Sequence, residues 1–122
     1  MIFAMVIGLG AGLVLGFFFN ISYPTEYSFY ITMGLLAAMD SIVGAARSYL
    51  KEKYDNIIFI SGFITNALLA GVLTFVGDKL GVPLYYAAIF VFGGRLFNNL
   101  AVIRRIALEK YMAKKKEKIA DK

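Results

Sequence analysis

Two ionisable residues, Asp40 and Arg95, lie inside long apolar segments of the chain, residues 29–46 and 84–103. A charged side chain at the centre of a lipid bilayer costs roughly 2.5 to 3.5 kcal/mol on insertion scales, so each of them requires a partner or a function. Both lie about eleven residues into their segments, which we expect to run in the same direction across the membrane. We therefore predict that Asp40 and Arg95 share one depth and pair, either as an ion pair that fixes helix packing or as an ion or proton site. The remaining alternative is that the two side chains do not meet.

Further polar side chains occur near the same depth. Asn98 and Asn99 follow Arg95, and Asn66 lies nine or ten residues from the start of the third apolar segment. The sequence predicts an intramembrane polar cluster whose members are Asp40, Asn66, Arg95, Asn98 and Asn99. Interhelical hydrogen bonds, each worth about 0.6 kcal/mol, would be a sufficient structural role for such residues.

The residue types that the chain lacks limit its chemistry. It has neither histidine nor cysteine, which excludes Ser-His-Asp triads, thiol catalysis and the usual zinc ligands. No second carboxylate is expected beside Asp40 for acid–base pairing, and only Glu52 and Asp55 are available at the neighbouring membrane surface. We predict no catalytic residues, no metal, no cofactor and no enzymatic activity.

Composition indicates the elements that must hold these residues. Of 122 residues, 60% are hydrophobic and 17% are charged, which is too apolar for a soluble domain of this size. Four stretches are long enough to cross a hydrocarbon core with helices: residues 1–19, 29–46, 57–76 and 84–103. We expect an all-α domain of four transmembrane helices over residues 1–108, followed by a basic tail over residues 109–122.

The basic residues are distributed unevenly between the two ends of these segments. Eleven lie on the side that holds the middle loop and the tail, whereas the opposite side has only Lys79. The positive-inside rule makes the crowded side cytoplasmic and predicts both termini there. Anionic lipid headgroups, rather than nucleic acid, are the expected partners. Four residues are candidates for headgroup binding or protein docking there: Arg47, Asp55, Arg104 and Arg105.

Two further patterns concern assembly. The halves of the chain resemble each other at an offset of 59 residues, which places Pro24 on Pro83 and Tyr27 on Tyr86. Such a repeat predicts two tandem helical hairpins related by a pseudo-two-fold axis along the membrane normal, although chance agreement between apolar segments is an alternative. Glycines at four-residue spacing in the first segment provide a smooth face for packing within the chain or for self-association: Gly8, Gly12 and Gly16.

Several motifs together resemble the small basic protein family of Gram-positive and related bacteria. They are PTEYS at 24–28, MDSIVGAARSYL at 39–50, YDNIIFISGFITN at 54–66 and YYAAIFVFGGRLFNNLAVIRR at 85–105. The resemblance implies a short, multi-span plasma-membrane protein encoded near cell-division and cell-envelope genes. It implies no defined chemistry. The family-type polar and glycine positions it singles out are Asp40, Gly44, Arg47, Tyr54, Asp55, Ser61, Gly62, Asn66, Arg95, Asn99, Arg104 and Arg105.

Two functions follow as expectations. The first is a non-enzymatic interaction or scaffold protein that forms homo-oligomers and binds membrane partners of the division or envelope machinery. The alternative is an oligomeric transporter, channel or lipid-handling protein that uses the intramembrane polar cluster. A closed, directly paired cluster would favour the first function, and a cavity open to one side would favour the second.

Overall fold

The computed structural model describes residues 2–22 and 24–122, so Met1 of the first predicted span lies outside the described residues. The described chain is helical, with α1 (Ile2–Phe18), α2 (Ser28–Leu50), α3 (Asn56–Leu80) and α4 (Tyr85–Ala120), and a short 3₁₀ turn over Thr25–Tyr27. Helices α2, α3 and α4 are long and apolar enough to cross a membrane. Helix α1 is apolar but has only 17 residues, fewer than the roughly 20 that a span needs.

Local residue choices fix the ends of α3. Asp55 caps its first turn, because one carboxylate oxygen accepts the backbone N–H groups of Ile57 and Ile58 at 2.8 and 3.0 Å. The helix ends at Gly81, whose φ of 66° lies in the left-handed region that glycine adopts at little cost. The chain then turns tightly enough that a side chain at Gly77 would lie 2.5 Å from the carbonyl oxygen of Val82. Gly77 and Gly81 together allow α4 to fold back on α3.

Helix α2 is the centre of the fold. It packs along both α3 and α4, whereas α3 and α4 touch each other over a much smaller area. At the start of α2 and α4 the rings of Phe29 and Tyr85 stack with centroids 4.6 Å apart, so these two helices begin side by side and run in the same direction. This alignment brings Asp40 and Arg95 to one level.

Helix α1 lies at the periphery. Within the described residues it contacts α2 and neither α3 nor α4, and almost all of its side chains are exposed. The predicted two-fold relation would place α1 against α4 as α3 is placed against α2. The contacts within one chain therefore lack the symmetry that the sequence repeat predicts.

The bundle of α2, α3 and α4 has two unlike halves. The closed half, next to the α3–α4 turn, has an apolar core of Met33, Ala37, Ala70, Ala88 and Phe92. The open half, next to the α2–α3 loop, contains the last three turns of α2 and the start of α3. Every buried residue of α3 lies in its C-terminal part, so this helix leaves its neighbours as it approaches the loop.

Candidate functional site

A cavity of about 500 Å³ occupies the open half. This volume falls within the range of roughly 300 to 1,000 Å³ that is typical of small-molecule sites. Its lining comes from α2, the α2–α3 loop, the first turns of α3 and the middle of α4. From Asp40 to Lys51, which both line it, α2 rises about 16 Å, or half the thickness of a hydrocarbon core.

An ion pair lies at the deep end of the cavity. Arg95 Nη2 is 3.2 Å from Asp40 Oδ2, and the Asp40 side chain is fully buried whereas that of Arg95 is 50% exposed. The distance is that of an ion pair, but no N–H of the guanidinium points at the carboxylate, so neither Asp40 oxygen accepts a hydrogen bond from the described residues. Asp40 is thus neutralised by Arg95 and retains unused acceptor capacity at the cavity floor.

A second link between α2 and α4 lies one to two turns closer to the loop. Arg47 Nη1 donates a 2.8 Å hydrogen bond to Asn99 Oδ1, and Asn99 is itself buried. Gly44 provides room for this contact, since a Cβ at that position would lie 3.5 Å from Asn99 Nδ2. Arg47 and Arg95 therefore bridge the same two helices at successive levels of one cavity wall.

The rim of the cavity is basic. Lys51 and Lys53 are exposed there and have no ion-pair partner within the described chain. The nearby carboxylate of Asp55 is occupied by the N-terminal amides of α3. The wall contributed by α3 differs in kind, because it presents Ile58, Phe59 and Phe63. One side of the cavity is therefore polar and cationic, and the other side is apolar.

The structure brings together six of the nine polar residues that the sequence selected. These six line the cavity: Asp40, Arg47, Asp55, Arg95, Asn98 and Asn99. Asn66 does not line it, and no side-chain hydrogen bond joins Asn66 to the described cluster. Arg104 and Arg105 lie further along α4 beside a separate groove, where Arg105 forms an exposed ion pair with Glu109 at 3.4 Å.

The glycines of the first helix take no part in this site. A Cβ built on Gly8, Gly12 or Gly16 would meet nothing within 4 Å among the described residues. The face they form is therefore unoccupied within the described chain, and exposed apolar side chains such as Leu15 lie beside it.

Sequence reasoning did not select some residues that line the cavity. The hydroxyl of Ser41 is buried beside Asp40 with no hydrogen-bond partner in the part of the chain described. Lys51 and Lys53 were counted only as surface charge, and Ile58, Phe59 and Phe63 only as part of an apolar segment. The i, i+4, i+7 spacing of Asp40, Gly44 and Arg47 was the available signal that this face of α2 is the polar one.

The acidic and basic side chains of the cavity are unequal in number and separated along it. No group of three or more metal-ligating residues occurs among residues 2–22 and 24–122. The two carboxylates lie at opposite ends of the cavity, Asp40 at the floor and Asp55 at the rim, so they are not arranged for paired acid–base work. Four basic side chains against two acidic ones give the cavity a positive balance.

Comparisons with known proteins agree with the resemblance in the sequence. Residues 23–108 match the model of a family described as proteins of unknown function, DUF1290. The chain is 48% identical over 113 residues to a protein named Small basic protein of Bacillus subtilis strain 168, a match that covers 93% of each chain. It is 38% identical over 107 residues to an uncharacterized protein, Rv1824, of Mycobacterium tuberculosis strain H37Rv, covering 84% of this chain and 88% of the relative. No solved structure matches the chain. A family match across the three-helix bundle and its cavity, together with relatives similar over most of their length, shows that this chain belongs to the DUF1290 family.

Proposed function

We propose that this protein is a non-enzymatic integral membrane protein of the bacterial envelope that acts by binding. In this proposal α1 is the fourth span, the open half faces the cytoplasm, and the cavity receives a ligand or a partner from that side. The observation that carries it is the cavity itself, a cationic pocket whose two carboxylates are already engaged by Arg95 and by the start of α3.

The closed half supports binding rather than passage through one chain. Met33, Ala37, Ala70 and Phe92 fill the space between the helices beyond Asp40. A continuous pore needs an opening towards both sides of the membrane. The tight core beyond the cavity floor supports a site that is entered from one end only.

Membrane orientation can be tested with single cysteines, because the chain has none of its own. Lys79→Cys lies at the end of α3 next to the closed half, and Lys115→Cys lies in the α4 extension; both side chains are exposed. In intact bacteria, a membrane-impermeant maleimide is expected to label Lys79→Cys and to label Lys115→Cys only after the cells are opened. Equal labelling of both in intact cells would overturn the orientation on which the proposal rests.

Self-association through α1 is part of the proposal. The unoccupied face of Gly8, Gly12 and Gly16 permits close approach of a second helix, and the flanking apolar residues are already suited to lipid or to another copy of the chain. Association with division or envelope machinery rests on the family resemblance. A fluorescent fusion concentrated at the division site would support it, and a uniform distribution along the membrane would contradict it.

The glycine face offers its own matched test. Gly12→Leu places a large side chain on this face, whereas Gly10→Leu makes the same change about 200° away around α1, and a Cβ at either position meets nothing within 4 Å among the described residues. Photobleaching-step counts in lipid nanodiscs should fall to one copy for Gly12→Leu and stay at the wild-type number for Gly10→Leu. If both variants keep the wild-type number, α1 is not the contact.

A transporter or lipid-handling protein is the second candidate function. It is favoured by the volume of the cavity, by its opening towards one side, which is the feature expected of this function, and by the unused acceptors of Asp40. Cysteine accessibility distinguishes the two candidates: Asn98→Cys, in the cavity, should react with water-soluble thiol reagents, and Ala88→Cys, in the closed core, should not. Reaction of Ala88→Cys at a comparable rate would favour a transport path.

A further inference from the structure

The cavity contains cations that no group of the described chain neutralises. Arg95 is paired with Asp40, and Asp55 is engaged by two backbone amides of α3. Arg47 is held by a neutral amide, Asn99, rather than by a carboxylate. With Lys51 and Lys53 at the rim, three positive charges therefore face one space that holds a single further carboxylate, that of Asp55, so positive charge remains in excess. Such a group of side chains suits an anionic ligand with several acceptor oxygens.

The position of these cations indicates the depth in the membrane at which a ligand would bind. Arg47 precedes the end of α2 by three residues, and Lys51 and Lys53 follow that end, so the three lie at the mouth of the cavity. Asp40 is about 10 Å deeper along the helix, which keeps its carboxylate away from an anion bound at the mouth. If the deep end lies near the bilayer midplane, the mouth lies at the level of the lipid headgroups.

The apolar wall distinguishes a lipid from a free ion. Ile58, Phe59 and Phe63 line the cavity opposite the cationic wall, and Ile58 is 72% exposed. An inorganic anion would use only the cationic side. The headgroup and first methylene groups of a lipid would use both, with the phosphate on the basic side and the chains along α3.

We propose that the open half binds a phosphate group carried by an inner-leaflet lipid, with Arg47, Lys51 and Lys53 contacting the phosphate and Ile58 contacting the chain. This inference rests on the proposed membrane orientation and specifies the ligand class of the same cavity. Basic pockets between membrane helices on the cytoplasmic side recognise lipid headgroups in this way.

The test uses native mass spectrometry of the full chain in an uncharged detergent, titrated with phosphatidic acid or with phosphatidylcholine of the same acyl chains. Lys51→Gln/Lys53→Gln removes two cavity cations, and Lys114→Gln/Lys115→Gln removes two from the exposed tail for an equal change in net charge. We expect wild type to prefer phosphatidic acid and the cavity variant to lose about thirtyfold in affinity, as two near-surface cations imply. The tail variant should stay within about twofold of wild type.

A second pair of variants tests the apolar wall. Ile58→Asn changes a cavity residue, whereas Ile57→Asn changes its exposed neighbour, which does not line the cavity. Phosphatidic acid binding should weaken in Ile58→Asn alone. Competition with inorganic phosphate at the same concentration should leave the lipid bound, and complete displacement would assign the site to free phosphate instead.

Failure of the lipid-binding inference can be distinguished from failure of the proposed function. Equal weakening by the cavity and tail lysine variants would reduce the effect to non-specific charge and overturn the inference, while the cysteine labelling that supports the orientation would stand. Circular dichroism of each variant checks that the helices are retained. Loss of the predicted labelling pattern would instead overturn the proposed function, whatever the lipid measurements give.

Discussion

The closed and open halves are built from the same three helices and differ in what those helices carry. In the closed half, small residues such as Ala37, Ala70 and Ala88 face each other, and the helices approach closely around Met33 and Phe92. In the open half, Asp40, Arg95, Arg47 and Asn99 lie between α2 and α4, and α3 diverges. Lipid provides no hydrophobic force to close a gap between helices, so side-chain size and polarity decide whether they meet.

The change from one half to the other is abrupt. On α2, Ala37 belongs to the closed core and Asp40, less than one turn further, forms the floor of the cavity. A buried charge requires a charged partner, and the length of an arginine side chain sets how far apart the two backbones stand. The Asp40–Arg95 pair therefore marks the boundary between the closed half and the open half.

Removal of one charge from this boundary should have the largest effect. Arg95→Leu leaves the fully buried Asp40 carboxylate without a counter-charge and should lower the free energy of unfolding by about 3 kcal/mol. The double variant Asp40→Leu/Arg95→Leu should recover most of that loss, because no buried charge remains. Unfolding in mixed micelles with increasing dodecyl sulfate measures both. A double variant as unstable as the single one would contradict the boundary role.

Substitution of two glycines on α3, one in each half, should have the next largest effect on stability. Gly77→Ala puts a Cβ 2.5 Å from the Val82 carbonyl oxygen and 3.0 Å from Leu84 N, so the α3–α4 turn must move, at a cost of about 1 to 3 kcal/mol. Gly62 lines the cavity, and a Cβ at this position meets nothing within 4 Å among the described residues. The stability of Gly62→Ala should therefore equal or slightly exceed that of wild type. Thermal unfolding followed by circular dichroism reports both changes. Equal losses would mean that the open half is as tightly packed as the closed one.

The hydrogen bond across the cavity wall should contribute less. Asn99→Ala removes the acceptor of Arg47 and should cost about 1 to 2 kcal/mol, because a charged donor in the wall loses its partner. Asn98→Ala is the control, since Asn98 is exposed and has no side-chain hydrogen bond among the described residues. The same unfolding assay applies. A comparable loss in Asn98→Ala would show that the Arg47–Asn99 bond is not what holds this wall.

Removal of one buried hydroxyl group from each half should give the smallest difference in stability. Thr74 Oγ1, in the closed half, donates a 2.9 Å bond to the Ala70 carbonyl, and Thr74→Val should cost about 0.5 to 1 kcal/mol. Ser41 Oγ, beside the cavity, has no such partner within the described residues, so Ser41→Ala should change stability by less than about 0.5 kcal/mol. A large loss in Ser41→Ala would reveal a bond that its hydroxyl makes in the membrane.

The sequence alone predicted the level of the polar residues but not their direction. Helical rise and the starts of the segments placed Asp40 and Arg95 at one depth, and the structure brings them together. The same argument put Asn66 in the cluster, yet Asn66 does not line the cavity. Helix α3 has no clear apolar face and polar face, so its sequence does not indicate which side packs against the other helices. Knowing the depth of Asn66 without the rotation of α3 was therefore insufficient.

The sequence repeat and the first helix also show what the sequence predicts and what it leaves open. Matching residues in the two halves of the chain predicted equivalent hairpins, but α3 packs on α2 while α1 does not pack on α4. Similar sequences constrain each hairpin internally and leave the contact between hairpins to whichever faces fit best. The glycines of α1 likewise specify a smooth face without specifying what covers it.

Composition and periodicity by themselves determined that this is a helical protein with segments suited to a membrane, that charge concentrates at one end, and that Asp40 and Arg95 lie at one level. These properties depend on residue type and on distance along a helix, which the sequence gives directly. The tertiary structure alone decided that the helices close over one half and part over the other, leaving a cavity with a cationic wall and an apolar wall. Packing depends on the rotation of each helix about its axis, and only the mutual fit of side chains from three helices sets that rotation.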